Sequence, residues 1–129
     1  MQTYRCDHIH LKSNDVTKTA QWYCDVLGAK ITFEGRFRGS QVYYFEINGM
    51  TFIVFGQLEG EEPLPASINS RFGVDHFGFE VDDIDAAVNE LTVKKVNILQ
   101  GPTDVRPGLR IAYFEAPDNV RIELSQRDK

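Results

Sequence analysis

Apolar and polar residues alternate along this chain in short runs, broken twice by stretches of helical spacing, and the two series have the same order. Over residues 4–12, His8, His10 and Lys12 fall on one face with Cys6 in the same parity, while Ile9 and Leu11 point the other way. That is the period of a strand. Asn14 or Asp15 then caps a helix whose apolar positions Val16, Ala20, Tyr23 and Leu27 recur at helical spacing, and Gly28 ends it. Strands are predicted over 30–35, 41–47 and 50–56, the last two joined by the hairpin signal Asn48-Gly49. Residues 58–72, rich in Gly, Pro, Glu and Ser, form a polar linker, long for a compact domain and of the kind that is functional or mobile. The second series runs from a strand over 74–81 to a helix capped by Asp82 or Asp83, with Ile84, Ala87, Val88 and Leu91 on its inner face. Strands follow over 96–100, 109–115 and 120–126. Gly101-Pro102 and Pro107-Gly108 bracket a loop, and Pro117-Asp118-Asn119 turns the last hairpin.

The two series are copies. Asp7-His8-Ile9-His10-Leu11 matches Asp75-His76-Phe77-Gly78-Phe79 at an offset of 68, and Phe45-Glu46 matches Phe114-Glu115 at 69. The turn Asn48-Gly49 meets Pro117-Asp118 at the same offset of 69. Two copies are too few for a solenoid and point to a closed pseudo-twofold pair. The expected fold is α+β: one domain over 1–129, with a β-α-β-β-β module at 4–57, the linker at 58–72 and a second such module at 73–127.

Composition narrows the class without naming a chemistry. A net charge of −5 supports neither a nucleic-acid partner nor a membrane surface. No apolar run reaches about 18 residues, and no basic-then-apolar leader opens the chain, so the cytoplasm is the expected compartment. Cys6 and Cys24 read as buried reduced thiols.

The duplicated β-α-β-β-β order, with a histidine on the first strand of each half, resembles the vicinal oxygen chelate superfamily of glyoxalase I, methylmalonyl-CoA epimerase, extradiol dioxygenases and the bleomycin- and fosfomycin-resistance proteins. The most specific pieces are Asp75-His76-Phe77-Gly78-Phe79 and Ala116-Pro117-Asp118-Asn119-Val120-Arg121-Ile122-Glu123-Leu124. The resemblance implies the glyoxalase/bleomycin-resistance/dioxygenase fold, a curved mixed sheet closing as a cup or half-barrel. It also implies one divalent metal ion, Fe(II), Mn(II), Ni(II) or Zn(II), held by His8, His76 and Glu123. Two imidazoles and a carboxylate suit a borderline transition metal and leave positions open for a ligand. A lone strand histidine is more often structural, but three ligand-type residues at related positions of a repeat reverse that balance. An unpaired Glu123 inside the apolar strand from Val120 to Leu124 would be costly, and a cation removes the cost.

At the offset of 69, Glu123 is answered by Val54, where glyoxalase I and the epimerases carry a second glutamate. Its absence leaves the two-histidine, one-carboxylate set of the extradiol dioxygenases and the fosfomycin thiol-transferases. Residues 101–110 do not match the potassium-binding stretch of the latter. The expected activity is that of a metalloenzyme whose small-molecule substrate chelates the ion through adjacent oxygens, with oxygen chemistry on Fe(II) slightly preferred. A glyoxalase-like lyase or epimerase and a metal-free drug- or metabolite-binding protein are the alternatives. His10, two residues beyond His8, is the candidate acid or base. Val54, Tyr113 and Arg121 are candidate substrate contacts, Arg121 for an anionic group. Open sheet edges must be paired or covered, so a homodimer is expected, with His8 from one subunit and His76 and Glu123 from the other.

Overall fold

Each half of the repeat builds four strands and one helix. The computed structural model describes residues 1–128 and divides into two compact units, Met1–Pro65 and Ala66–Lys129, whose boundary falls inside the expected linker. In the first unit β1 (His8–Lys12), α1 (Val16–Leu27), β2 (Lys30–Phe37), β3 (Ser40–Ile47) and β4 (Met50–Phe55) follow one another. The sheet order is β1-β4-β3-β2, with β1 parallel to β4 and the other pairs antiparallel. The second unit repeats this with β5 (Phe77–Glu80), α2 (Ile84–Val93), β6 (Ile98–Arg106), β7 (Leu109–Ala116) and β8 (Val120–Arg127). Its order is β5-β8-β7-β6, again with only the β5–β8 pair parallel. The α+β class and the duplicated module are as expected. Among the described residues no helix is long and apolar enough to cross a membrane.

The helices start where the caps predict. The Asp15 carboxylate accepts from the Lys18 N–H at 3.2 Å and the Asp83 carboxylate from the Ala86 N–H at 3.0 Å, each satisfying a donor that the first turn leaves open. Gly28, at φ 70°, takes the left-handed position that ends α1. One face of each sheet packs on its helix. In the first unit Tyr23 of α1 stacks on Phe45 at 5.0 Å and lies 6.1 Å from Phe52, and these two rings stack at 5.2 Å, all three fully buried. In the second, Ile84, Phe114 and Ile122 are fully buried. The opposite face of each sheet is the one that carries His8, His10, Glu123 and Tyr113.

Four expectations need correction. The first strands are shorter than the alternation suggests: β1 begins at His8 and β5 at Phe77, because pairing with β4 and β8 starts only at His8↔Thr51 and Phe77↔Ile122. His76 therefore immediately precedes its strand. Gly101-Pro102 does not open a loop. β6 runs through it to Arg106, absorbing the irregularity as register shifts, and only Pro107-Gly108 turns. Cys6 is exposed and Cys24 half-buried, so neither is a core thiol.

The fourth correction concerns the repeat itself. The first hairpin pairs Ile47 with Met50 across two turn residues, whereas the second pairs Ala116 with Val120 across the 3₁₀ turn Pro117–Asn119. The extra turn residue moves the last strand to an offset of 70. Phe45 pairs with Phe52 just as Phe114 pairs with Ile122, and His10 with Ile53 just as Gly78 with Glu123. The counterpart of Glu123 is thus Ile53, not Val54. Val54 shares Phe52's parity, pairs with Tyr43 and is 0% exposed. Its side chain belongs to the core under α1 and is withdrawn as a substrate contact.

Candidate metal centre

On the open face of the second unit, His76, Tyr113 and Glu123 are brought together by strand register. Glu123 sits opposite Gly78 on one side and Tyr113 on the other. His76 lies two residues before Gly78 and reaches Glu123 with Nε2 to Oε2 at 3.4 Å. The Tyr113 ring meets the His76 ring edge-on, centroids 5.0 Å apart. Its hydroxyl donates to the Glu123 carboxylate, and that hydrogen bond, with burial adding to it, pushes the phenol up to about 12. Gly78 is needed bare: a Cβ there would stand 3.2 Å from the Glu123 carbonyl oxygen and 3.4 Å from its Cβ.

Behind the histidine stands Asp75. Its Oδ2 accepts from His76 Nδ1 at 2.7 Å, and this contact holds the Asp75 carboxyl below the usual carboxylate range. Arg121 approaches the same oxygen at 3.9 Å and lays its guanidinium over the Tyr113 ring, 5.9 Å from the centroid. Arg121, Asp75, His76, Glu123 and Tyr113 therefore form a closed ring of contacts. Asp75 had no assigned role in the sequence, although the Asp-His pair stands there twice. The first unit repeats it, with His8 Nδ1 2.7 Å from Asp7 Oδ2.

The remaining candidates lie on the first unit's open face. His10 packs edge-on against Phe55 at 4.5 Å, and burial, then the charges of His8 and Lys12, lower its pKa below the ordinary imidazole value. Lys12 is occupied, donating to Glu61 at 2.7 Å and to the Gly56 carbonyl at 3.0 Å. Ile53 stands beside His10 where the second unit has a carboxylate.

The donor set of the second unit fits a divalent cation. With Nδ1 committed to Asp75, a neutral His76 ring would turn a lone pair toward Glu123, so that two acceptors would face each other at 3.4 Å. A proton or a cation must lie between them. Two ligands at about 2.1 Å from one ion stand about 3.0–3.4 Å apart for right-angle to tetrahedral geometry. Among the described residues no three His, Cys, Asp or Glu side chains gather that could hold a metal ion. His76 and Glu123 are a pair, and His8 belongs to the first unit.

The family model for the Glyoxalase/Bleomycin resistance protein/Dioxygenase superfamily matches residues 5–124. The chain belongs to this superfamily. By sequence the chain is similar to the uncharacterized protein YaeR of Escherichia coli K12, 30% identical over 125 residues that cover 93% of this chain and 94% of YaeR. The metallothiol transferase FosB of Staphylococcus saprophyticus is 30% identical over 121 residues, 92% of this chain and 74% of FosB. The fold also superposes on a mutant of the fosfomycin resistance protein FosX from Listeria monocytogenes, complexed with Mn(II) and 1S,2S-dihydroxypropylphosphonic acid. That match has a TM-score of 0.75 at 19% identity and covers 99% of this chain and 93% of FosX. At that identity it is a likeness of fold.

Proposed function

We propose that this superfamily member is a mononuclear divalent-metal enzyme acting on a small oxygenated substrate. The observation that carries the reading is the facing pair of acceptors, His76 Nε2 and Glu123 Oε2 at 3.4 Å, each fixed from behind by a hydrogen bond. His76 and Glu123 are two ligands, and His8, which repeats the Asp-His arrangement of His76, is proposed as the third. A divalent ion held there would supply Lewis-acid stabilisation of charge on a chelating oxygen. Tyr113 holds Glu123 in place and presents its ring edge to His76. Arg121, half-buried beside them, is proposed to meet an anionic substrate group. His10, whose pKa is lowered by burial and then by His8 and Lys12, is proposed as the base.

The reaction class is proposed to be nucleophile addition without carbon-to-carbon proton transfer. Ile53 beside His10, where the second unit has a carboxylate, supports this, since it cannot act as a second acid to shuttle a proton. FosB, named a metallothiol transferase, adds weight to thiol chemistry. A three-residue ligand set is shared by oxygenases and thiol transferases alike, so ligand count alone does not favour Fe(II) oxygenation. The test is a parallel screen of metal-loaded protein. We expect thiol-dependent consumption of small epoxides or related electrophiles with Mn(II) or another redox-silent ion. Turnover of the methylglyoxal–thiol hemithioacetal should be ~10²–10⁴-fold below that of an enzyme with a positioned acid–base pair. Oxygen uptake with Fe(II) and catechols, with no thiol-dependent activity, would move the protein to the oxygenase branch.

We also propose a homodimer. Leu64 and Phe72 in the linker and Val74 just after it are 88%, 105% and 87% exposed, apolar surface that a second copy of the chain would cover. Within each sheet the outer strands, β1 and β2 or β5 and β6, pair on one side only. Sedimentation at micromolar concentration should give a dimer. A monomer that still holds stoichiometric metal would contradict His8 and His76 coming from different subunits.

A further inference from the structure

Both candidate ligand histidines make the same contact through the same atom. His8 Nδ1 lies 2.7 Å from Asp7 Oδ2, and His76 Nδ1 lies 2.7 Å from Asp75 Oδ2. The aspartate in each case is the residue immediately before the histidine, at the entry to an edge strand that pairs on one side only. A carboxylate accepts and does not donate, so the shared proton sits on Nδ1, which in the neutral ring leaves the lone pair on Nε2. At His76 that lone pair is the one turned on Glu123, 3.4 Å away. The two aspartates differ in setting. Asp75 is about half exposed and has Arg121 at 3.9 Å from the same oxygen, whereas the Asp7 side chain is 90% exposed.

We propose that Asp75 is a positioning residue that fixes the tautomer and orientation of His76 so that Nε2 is the metal-binding atom, with Asp7 doing the same for His8 less firmly. The inference rests on the metal reading above and adds residues outside the ligand set. Aspartate–imidazole pairing of this kind raises ligand basicity and removes rotational freedom before the ion arrives. Arg121 keeps Asp75 in place by its charge. Asp7 competes with water instead, so its loss matters less.

The test is made first on metal-free protein, by long-range ¹H–¹⁵N NMR of the histidine rings at about pH 8.5, above the ordinary imidazole pKa of about 6.5. Wild type should show His76 as the Nδ1–H tautomer, which is not the form a solvated imidazole prefers. In Asp75→Ala, and in Asp75→Asn, whose amide can donate to Nδ1, His76 should shift toward Nε2–H while His8 stays unchanged. Asp7→Asn should produce the converse at His8. Mn(II) affinity should fall about 10–100-fold in the Asp75 variants and less in Asp7→Asn. A His76 ring already Nε2–H in wild type, or unmoved by both Asp75 substitutions, overturns the proposal, and so does unchanged Mn(II) affinity. If wild type binds no Mn(II) while the tautomers shift as described, the metal reading fails and with it the role toward metal. The control of His76 by Asp75 then stands as measured.

Discussion

A glutamate introduced at Val54 is expected to destabilise the first unit more than the same substitution one residue earlier, at Ile53, which is 8% exposed. Val54 is 0% exposed and shares the face of Phe52 under α1. A carboxylate there has no partner, and an uncompensated buried charge costs about 3–5 kcal/mol. For a chain of this size that is a fall in Tm of about 10–20 °C. Ile53 points to the opposite face, where His10 is its neighbour and can donate to a carboxylate. Thermal unfolding followed by circular dichroism checks both variants. Equal losses at the two positions would mean that the last strands align at 69 after all, and that the open face of the first unit is not where His10 places it.

Alanine at His76 or at Glu123 is expected to abolish tight metal binding and all metal-dependent turnover. Removing His76 deletes one acceptor and leaves Asp75 without its imidazole partner. Removing Glu123 deletes the only carboxylate of the proposed set and leaves the Tyr113 hydroxyl without its acceptor. The fold should survive both, because His76 and Glu123 lie on the open face, away from Phe114 and Ile122. Equilibrium titration with Mn(II), alongside a thermal melt in chelator, separates lost binding from lost structure. His8→Ala should lose affinity too if His8 is the third ligand. Affinity at the wild-type level in His8→Ala would reduce the set to two residues.

Most of the architecture was legible because period and punctuation agreed. The caps at Asp15 and Asp83, the Gly28 stop and the Asn48-Gly49 hairpin are local chemistry, and local chemistry is read directly from residues. The repeat singled out His8 and His76 and the resemblance added Glu123; of the three, the second unit brings His76 and Glu123 together. Register was less legible. A three-residue turn at Pro117–Asn119 and a two-residue turn at Asn48-Gly49 look equivalent as strings, yet they differ by one residue and so by one face of the sheet. That single slip moved the expected counterpart of Glu123 from Ile53 into the core. The strand through Gly101-Pro102 was misread for a related reason: glycine and proline usually end a strand, and only tertiary pairing with β7 carries β6 past them. The roles of Asp7 and Asp75 were within reach, since Asp-His occurs at both matched positions, but a contact between neighbours has no periodicity to betray it.

The central claim is that His76 and Glu123 face each other in order to share a cation. Protein equilibrated with Mn(II), freed of loosely held ion by dialysis and analysed for metal should retain about one ion per chain as wild type and essentially none as His76→Ala. Stoichiometric metal in His76→Ala, or none in wild type across Mn(II), Ni(II), Zn(II) and Fe(II), would contradict it.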